Sequence, residues 1–341
     1  MVFDQALGLL SNELAIDMGT STTLIHVRGR GILVEEPSVV AVERPSGRIV
    51  AFGHEAKRMV GRTPEHISAA RPIQEGIIQD FPLAESLLSA CVERALGGRG
   101  LVRPRLIASV PHGTDIVQRR AVADSARSVG CRELTLVSAL IAAGIGCGLP
   151  IDEPVGSLVI DIGGGTTEVG VLTLGGLASA NTVPTAGDDL DAAIVQWVRE
   201  RHQLLIGERT AEEIKIGVGC AISPREGRAV QVTGRDLREG IPREITVSSR
   251  DVCAALQTPL NRIVDAIQKT LSSTPPELAA DVYEHGMVLC GGGAKLSYLD
   301  AFLSKATGLR TTIATDPHRC VAIGAGKLLE DEALLKRAAL A

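Results

Sequence analysis

Two segments of the chain share one layout, and this repeat constrains the fold more than any other feature of the sequence. Residues 158–173 read LVIDIGGGTTEVGVLT, and residues 14–27 read LAIDMGTSTTLIHV. Each segment has an apolar strand, an acidic residue, a turn of glycine and hydroxyl residues, and a second apolar strand. The acidic residues, Asp17 and Asp161, lie 144 positions apart (161 minus 17). Repetition on this scale predicts two structurally related halves, each with its own hairpin.

The turns of these hairpins suit a bound phosphate. Glycines such as Gly163, Gly164 and Gly165 let backbone N–H groups approach an anion without a Cβ in the way. Thr166 and Thr167 add hydroxyls, and Asp161 adds a carboxylate where the strand ends. This combination favours a nucleotide phosphate with a divalent ion. On one segment alone, a simple β-hairpin with an easy turn explains the residues equally well, and the repetition favours the phosphate site.

A third glycine turn supports this interpretation. Gly291, Gly292, Gly293 and Ala294 follow a strand-like run at 286–290 and begin a helix-like stretch. Elsewhere strands alternate with helices, which predicts an α/β fold with partly parallel sheets. The closing segment, 321–340, is expected to be one helix.

Composition limits the classes of protein to consider. The 341 residues are 45% hydrophobic but only 2% aromatic, so we expect two domains with cores of Val, Ile, Leu and Ala. A net charge of −5 argues against general nucleic-acid binding. The seven cysteines include no C-x-x-C pair, which indicates buried thiols in a reducing cytosol. We expect no signal peptide and no membrane-spanning segment.

Two apolar stretches are candidates for contact with a membrane surface. Residues 1–11 can form a short helix with one apolar face, and the loop 97–104 has an apolar tip between arginines. A frayed or self-docked terminus explains the first stretch about as well, and an ordinary surface loop explains the second. The candidate membrane residues are Val2, Phe3, Leu7, Leu10, Leu101 and Val102.

Several common catalytic motifs are absent from the sequence. It has no G-x-x-x-x-G-K-[ST] phosphate loop, no G-x-G-x-x-G after a strand, no H-x-x-x-H pair and no G-x-S-x-G elbow. What remains is the set of glycine turns with their carboxylates.

The two hairpins and the GGGA turn resemble the phosphate-1, phosphate-2 and adenosine motifs of the superfamily of actin, heat-shock chaperones and sugar kinases. The chain is most similar to the MreB family of bacterial actins, and the resemblance covers essentially its whole length. The stretches that carry it are IDMGTSTTLIHVRGRGILVEEPSVVA (16–41), GHEAKRMVGRTP (53–64), RPIQEGIIQDF (71–81), DIGGGTTEV (161–169), LIGERTAEEIK (205–215), PPELAADVYEHGMVLCGGGA (275–294) and DPHRCVAIGAGKLLE (316–330).

This resemblance implies an actin-like (RNase H-like) α/β fold with two related domains flanking a nucleotide cleft, each with a smaller subdomain. Domain I is expected at 1–150, with subdomain IB at about 32–72 and a C-terminal helix, 320–341, that returns to it. Domain II is expected at 151–319, with subdomain IIB at about 182–249.

The resemblance also implies a site for ATP and Mg²⁺. The two hairpin turns would hold the phosphates, while Asp17 and Asp161 would hold Mg²⁺, mostly through water. Glu212 and Lys215, one helical turn apart, would contact the adenosine, although a solvated ion pair is the alternative. The implied nucleotide-binding residues are Gly19, Thr20, Ser21, Thr22, Thr23, Gly163, Gly164, Gly165, Thr166, Thr167, Glu212, Lys215, Gly291, Gly292, Gly293 and Ala294.

The chain departs from the family where hydrolysis is concerned. The implied catalytic positions are Asp17, Asp161, Thr167 and Ala139, and Ala139 stands where the family usually has the glutamate that orients the attacking water. Alanine neither accepts a proton nor orients a water molecule. We therefore expect weak or absent hydrolysis, with Glu168 or Asp161 as possible substitutes.

The resemblance implies a filament-forming protein that helps to determine rod cell shape. Its partners would be further copies of itself, the inner membrane surface and the cell-wall synthesis machinery, with no nucleic acid. It would be cytoplasmic and peripheral at the inner face of the cell membrane. Two alternatives remain: a non-polymerising, regulatory paralogue, and a sugar or acetate kinase of the same superfamily.

Overall fold

The protein is described by a computed structural model that covers residues 12–98 and 103–340. The described residues form two five-stranded mixed sheets with three smaller sheets around them. The elements of the first half are β1 (Glu13–Met18), β2 (Thr22–Val27), β3 (Gly31–Pro37), β4 (Val40–Glu43), β5 (Arg48–Phe52), α1 (Gly53–Met59), β6 (Ile67–Ala70), β7 (Ile73–Gln74), β8 (Ile77–Ile78), α2 (Phe81–Leu96), β9 (Arg105–Val110), α3 (Ile116–Ser128), β10 (Glu133–Ser138) and α4 (Ala139–Gly146).

The second half continues with the same alternation of strands and helices. Its elements are β11 (Ser157–Ile162), β12 (Thr167–Thr173), β13 (Gly176–Val183), α5 (Gly187–His202), β14 (Leu204–Leu205), α6 (Glu208–Val218), β15 (Ala229–Asp236), β16 (Pro242–Ser248), α7 (Ser249–Ser272), α8 (Pro276–His285), β17 (Met287–Cys290), a 3₁₀-helix (Gly292–Lys295), α9 (Leu299–Thr307), β18 (Thr311–Ile313), a 3₁₀-helix (Pro317–Arg319), α10 (Cys320–Leu328) and α11 (Glu332–Ala338).

The two large sheets have the same topology. The first has the order β10-β9-β1-β2-β3, and the second has the order β13-β12-β11-β17-β18. In each, three successive strands pair antiparallel, and the first of them also pairs parallel with the next strand of its sheet. A fifth strand extends each sheet by another parallel pairing. The internal repeat in the sequence is therefore a repeat of structure, and the α/β prediction is confirmed.

Helices α4 and α10 lie between the two sheets. One buried cluster contains Ala15 and Ile107 of the first sheet, Val159 of the second, and residues of both helices. Small residues let the helix backbones touch: a Cβ on Gly146 would lie 1.9 Å from the Cys320 carbonyl oxygen, and one on Gly324 would lie 1.8 Å from that of Ala142. This close packing joins the two halves of the molecule.

Each half also carries a three-stranded sheet. The sheet β5-β4-β6 lies within residues 40–70, beside α1, and the sheet β14-β15-β16 lies within residues 204–248, beside α6. Separate apolar cores fill the two halves. Helix α2 covers the first large sheet, and α7 covers the second, with α5 packed on α7.

The closing segment is two helices rather than the single helix expected at 320–341. Helix α10 ends at Leu328, and α11 begins after Asp331, whose side chain accepts hydrogen bonds from the N–H groups of Ala333 and Leu334. This N-cap starts a new helix in a new direction. The segment does return to the first sheet, since the N–H of Leu340 donates to the carbonyl of Leu136 in β10.

The candidate membrane residues Val2, Phe3, Leu7, Leu10, Leu101 and Val102 lie outside the described residues. Among the helices of 12–98 and 103–340, none combines the length and the apolar character that a membrane span requires.

Candidate nucleotide site

A cavity of about 590 Å³ lies between the two large sheets, and the predicted hairpin turns line it from both sides. Its volume is in the range that proteins use for small ligands and cofactors. Gly19–Thr22 come from the β1–β2 turn, Gly163–Thr166 come from the β11–β12 turn, and Gly291–Gly293 come from the segment after β17. The structure therefore brings the three glycine turns of the sequence together.

The two hairpin turns are closed by the same hydrogen bond. The N–H of Gly19 donates to the carbonyl of Thr22 at 3.0 Å, and the N–H of Gly163 donates to that of Thr166 at 2.9 Å. These residues occupy equivalent positions in the repeat. Each turn is the tip of an antiparallel pair in the centre of its sheet, which fixes its position.

The turns contact each other across the cleft. A Cβ on Gly164 would lie 2.1 Å from the Ser21 hydroxyl, and one on Gly165 would lie 2.8 Å from the Thr20 hydroxyl. The Thr20 hydroxyl also accepts a hydrogen bond of 2.9 Å from the N–H of Gly76. The glycines of the second turn therefore leave room for the hydroxyl side chains of the first.

Asp17 and Asp161 end the two central strands at the floor of the cavity. Burial raises the pKa of Asp17 to about 6, although a 2.8 Å hydrogen bond from the Ser109 hydroxyl opposes this change. Burial and then the neighbouring Asp17 charge raise the pKa of Asp161 to about 7. Two partly buried, mutually repelling carboxylates fit a cation, because its charge would offset both the burial and the repulsion.

The side chains around this carboxylate pair limit how a metal would be held. Among the residues that the structure describes, no group of three or more His, Cys, Asp or Glu side chains is placed to ligate a metal ion. Two carboxylates alone fit Mg²⁺, which retains several waters and takes further oxygens from phosphates.

The third turn is fixed against the second. Gly291 has φ +80°, and a Cβ there would lie 2.3 Å from the Ile162 carbonyl and 2.4 Å from a carboxylate oxygen of Asp161. Its N–H donates to the Pro317 carbonyl at 2.7 Å. Only glycine fits this close approach without strain.

Glu212 and Lys215 both line the cavity, but they do not pair with each other. Glu212 accepts a 2.8 Å hydrogen bond from Lys57 of α1, across the cleft. Lys215 donates to Asp191 of α5 and to the Gly187 carbonyl, each at 2.8 Å. Burial raises the pKa of Asp191 to about 6, although Lys215 opposes this change. The alternative of a simple surface pair along α6 is therefore wrong.

Three of the predicted nucleotide-binding residues do not line the cavity. Thr23 is fully buried with its hydroxyl 2.9 Å from that of Ser38. Thr167 is also fully buried, and its hydroxyl donates to the Thr185 carbonyl at 2.7 Å. Ala294 is buried beneath the third turn. The pleat of a strand turns alternate side chains away from the cleft, so the Thr167 hydroxyl is not placed for catalysis.

Ala139 and Glu168 both line the cavity, on elements that pack against each other. Ala139 begins α4 and presents only a methyl group. Glu168 is 3% exposed and accepts a 2.5 Å hydrogen bond from the His112 N–H. Burial and then the Asp161 charge raise its pKa to about 8. The structure thus places a carboxyl group in the cleft, on a strand that packs against the helix that Ala139 begins.

Sequence reasoning missed seven polar residues that also line the cavity: Glu35, Ser109, Asp188, Asp191, Lys295, Ser297 and His318. The sequence does carry a signal for Ser109. This residue lies near the end of β9, which is parallel to β1, and the carboxyl ends of parallel strands meet at one edge of a sheet. Glu35 joins Arg319 and His318, which lie between the second sheet and α10. Burial opposes this ion pair, but Arg319 and His318 lower the pKa of Glu35 below its usual value.

Comparison with known proteins identifies the architecture. The chain is similar to a crystal structure of MreB5 of Spiroplasma citri bound to ADP, with a TM-score of 0.90 and 30% identity over 96% of this chain and 98% of that one. A structure of the same protein bound to AMPPNP gives the same TM-score and identity, with 96% and 97% coverage. The actin-like fold with two domains is therefore confirmed.

Sequence comparison agrees along nearly the whole chain. The chain is 46% identical to the cell shape-determining protein MreB of Escherichia coli K12 over 329 residues, which are 95% of this chain and 94% of that protein. It is 40% identical to the cell shape-determining protein Mbl of Bacillus subtilis 168 over 324 residues, 95% and 97% of the two chains. The family model described as MreB/Mbl protein matches residues 11–337. The chain therefore belongs to the MreB/Mbl family.

Proposed function

We propose that the cavity between the two sheets binds ATP with Mg²⁺. The observation that carries this proposal is the pair of matched turns, each with a partly buried carboxylate at its base. The ADP and AMPPNP complexes of the Spiroplasma relative support it. The two turns line the cavity from both sides, and the backbone N–H groups of such glycine-containing turns bind anions well.

The residues divide into three roles. Gly19–Thr22 and Gly163–Thr166 would hold the phosphates, and Asp17 and Asp161 would hold Mg²⁺ through its waters. The ion would neutralise phosphate charge and the carboxylate pair together. Glu212, Lys215 and the Gly291–Gly293 turn would bind the adenosine, with Ile216 and Leu296 as apolar surface for the base.

We propose that hydrolysis is slow. Ala139 supplies no proton acceptor on its wall of the cleft, and the Thr167 hydroxyl is bound to a carbonyl. Glu168 is held by the His112 N–H, and its raised pKa leaves it largely protonated near neutral pH.

The family supports a cytoskeletal role for the whole protein. We propose that the chain polymerises into filaments that help to determine rod cell shape by organising cell-wall synthesis. The surface carries large exposed side chains suited to contacts between copies, such as Ile116 and Val117 at the start of α3 and Tyr283 of α8. Head-to-tail contacts that do not close a ring give open filaments.

We also propose that the filaments lie on the inner face of the cell membrane, with the rest of the protein in the cytoplasm. The support is sequence alone: the apolar face of residues 1–11 and the Leu101-Val102 tip between arginines. The proposed boundary between the two domains lies near residue 150, where the chain leaves α4 for the second sheet.

Nucleotide titration tests the central proposal. A fluorescent ATP analogue is expected to bind with Mg²⁺, and Asp161→Asn should weaken binding at least tenfold. Asp124→Asn, an exposed carboxylate in α3, is the matched control and should bind like the unaltered chain. Equal binding by Asp161→Asn and the control would contradict the proposal.

Electron microscopy tests the filament proposal separately. Filaments are expected with ATP and with AMPPNP, because assembly would need the closed cleft rather than hydrolysis. If the protein binds nucleotide but forms no filaments, the proposed site stands. That result would favour a regulatory, non-polymerising member of the family.

A further inference from the structure

The edge strand of the first sheet carries two consecutive carboxylates that bind different parts of the molecule. Glu35 and Glu36 are neighbours in β3, so their side chains point to opposite faces of the strand. Glu36 is buried and accepts hydrogen bonds from the Arg94 side chain of α2 and from the His54 N–H at the start of α1. Glu35 lines the cavity. The contacts of Glu36 therefore help to fix the strand that presents Glu35.

Glu35 binds a short helix from a distant part of the chain. One of its carboxylate oxygens accepts hydrogen bonds from Nε and Nη2 of Arg319, 284 positions away, at 2.9 and 2.6 Å. The other oxygen lies 3.1 Å from Nε2 of His318. Both partners belong to the 3₁₀-helix Pro317–Arg319, which follows the last strand of the second sheet and precedes α10. Both oxygens are therefore engaged, and they join the first sheet to the segment that returns from the second.

The same 3₁₀-helix supports the third glycine turn. The N–H of Gly291 donates to the Pro317 carbonyl at 2.7 Å, and Pro317 directly precedes His318. The 3₁₀-helix Gly292–Lys295 also contacts the 3₁₀-helix of Pro317. The turn packs closely on the second sheet as well, because a Cβ on Gly291 would lie 2.3 Å from the Ile162 carbonyl oxygen. The turn is thus held by the second sheet and by a segment that Glu35 binds.

We propose that Glu35 is a positioning residue for the nucleotide site, because through Arg319 and His318 it holds the Gly291–Gly293 turn where the turn closes on the adenosine. This inference rests on the proposed nucleotide site and adds support from the first half to its adenosine end. Backbone rich in glycine is conformationally permissive, so the position of such a turn depends on its surroundings. A direct contact of Glu35 with the phosphates is disfavoured, since like charges repel.

The hairpin turns that would hold the phosphates do not share this support. Each is closed by its own hydrogen bond, from Gly19 to Thr22 in the first turn and from Gly163 to Thr166 in the second. Loss of the Glu35 carboxylate should therefore disturb the adenosine end of the site and leave the phosphate end in place. A ligand with adenosine and a ligand with phosphates alone distinguish the two ends.

Calorimetric titration with ATP, ADP and inorganic tripolyphosphate, each with Mg²⁺, measures this difference. Glu35→Ala should weaken the binding of ATP and of ADP about tenfold, while tripolyphosphate binding should change by less than about twofold. Glu35→Gln keeps an acceptor oxygen and should recover part of the loss. The matched control is Glu43→Ala, which removes a carboxylate that pairs with Arg48 in the β4–β5 hairpin, and it should bind like the unaltered chain.

The possible results separate this inference from the nucleotide site itself. If the unaltered chain binds neither ATP nor ADP, the site is refuted and the role of Glu35 falls with it. If the unaltered chain and Glu35→Ala bind ATP equally well, the site stands and the inference is wrong. Equal losses for ATP and tripolyphosphate would show that Glu35 stabilises the molecule as a whole, which also overturns the inference.

Hydrogen exchange without nucleotide tests the support of the turn directly. The amides of residues 291–296 should exchange severalfold faster in Glu35→Ala and in Arg319→Ala than in the unaltered chain. The double variant should add little to either change, because both substitutions break one contact. Glu43→Ala should leave these amides unchanged. Unchanged exchange at Gly291 in Glu35→Ala would overturn the proposal, and Arg319→Ala provides the same test if Glu35→Ala does not fold.

Discussion

The two glycine turns have the same backbone and different side chains, and their difference explains how the cleft is built. The first turn has Gly19 followed by Thr20, Ser21 and Thr22, whereas the second has Gly163, Gly164, Gly165 and Thr166. Each is closed by the same hydrogen bond between its first and fourth residues. The shared bond reflects the repeat, so the remaining differences reflect what each turn must contact.

Those differences are complementary across the cleft. The first turn has hydroxyl side chains at the positions where the second has Gly164 and Gly165, and these side chains occupy the space that the missing Cβ atoms leave. A duplicated turn that stayed symmetric would either clash with its copy or leave a gap. Divergence between the two copies therefore allows the close approach that a phosphate group would need.

The carboxylates beneath the turns differ in the same way. Asp17 receives a hydrogen bond from the Ser109 hydroxyl, whereas Asp161 lies beside the thiol of Cys290. The pKa of Asp161 is the higher of the two, because the neighbouring Asp17 charge adds to the effect of burial, whereas the Ser109 hydroxyl opposes burial at Asp17. The ionised carboxylate is therefore less stable in the second half, and a bound cation would stabilise Asp161 more than Asp17.

The largest predicted effect concerns the cavity residues Ala139 and Glu168. Ala139→Glu places a carboxylate at the start of α4, and ATP hydrolysis is expected to rise by about 10²–10⁴-fold, the usual contribution of a positioned base. This corresponds to about 3–5 kcal/mol of barrier. Phosphate release measures it, and Ala139→Gln is the matched control without a proton acceptor. Equal rates for the two variants would show that Glu168 or another group already supplies the base.

The next prediction tests the complementarity of the turns. Gly164→Ala puts a Cβ 2.1 Å from the Ser21 hydroxyl, and we expect a loss of about 1–3 kcal/mol in the free energy of unfolding. Ser21→Gly removes the obstructing side chain, so the double variant should recover most of that loss. Urea denaturation of the four proteins gives the coupling free energy. Additive effects would mean that the turns do not contact each other in solution.

Much of this site could be predicted from the sequence, because it depends on local pattern. The repeat predicted the matching halves, and the turns were identified with their glycines and Asp17 and Asp161. The direction of Thr23 and Thr167 was not predicted, since one residue of register decides which face of a strand a side chain takes. The second closing helix was missed although Asp331 is a typical N-cap, because the apolar spacing continues across it.

Contacts between distant parts of the chain lay beyond sequence reasoning. Lys57 and Glu212 are 155 positions apart, and their ion pair exists only because α1 and α6 face each other across the cleft. Sequence alone suggested Lys215 as the partner, one helical turn away. Local spacing gives candidate neighbours, but packing decides among them.

The third prediction uses pH to compare the two carboxylates. Both have folded-state pKa values above the usual 3.8, so the folded chain keeps protons that the unfolded chain has already lost. Without nucleotide and metal, stability should therefore fall as pH rises from about 4 to 7. Asp161→Asn should reduce this loss of stability more than Asp17→Asn, by on the order of 1 kcal/mol at pH 8, because Asp161 raises the pKa of Glu168 more than Asp17 does.

Thermal or urea unfolding between pH 5 and 8 measures this difference, with Asp124→Asn as the control that should keep the slope of the unaltered chain. Identical gains from the two variants would mean that the two carboxylates destabilise the folded chain equally. Saturating Mg²⁺ with nucleotide should flatten the slope, because the cation favours both ionised forms.

The smallest predicted effect concerns the ion pairs that join the two sides of the cleft. Lys57 and Glu212 have side chains that are 38% and 25% exposed, so solvent screens the pair and Lys57→Ala should cost less than about 1 kcal/mol of unfolding free energy. Nucleotide release should nevertheless be faster, because this contact and the Arg71–Asp188 pair of 2.8 Å both span the cleft. Stopped-flow release of a fluorescent nucleotide measures the rate, and Arg209→Ala, which breaks a pair confined to α6, is the control. If both variants release nucleotide at the same rate, the contacts across the cleft do not retain the ligand, and the matched turns alone hold it.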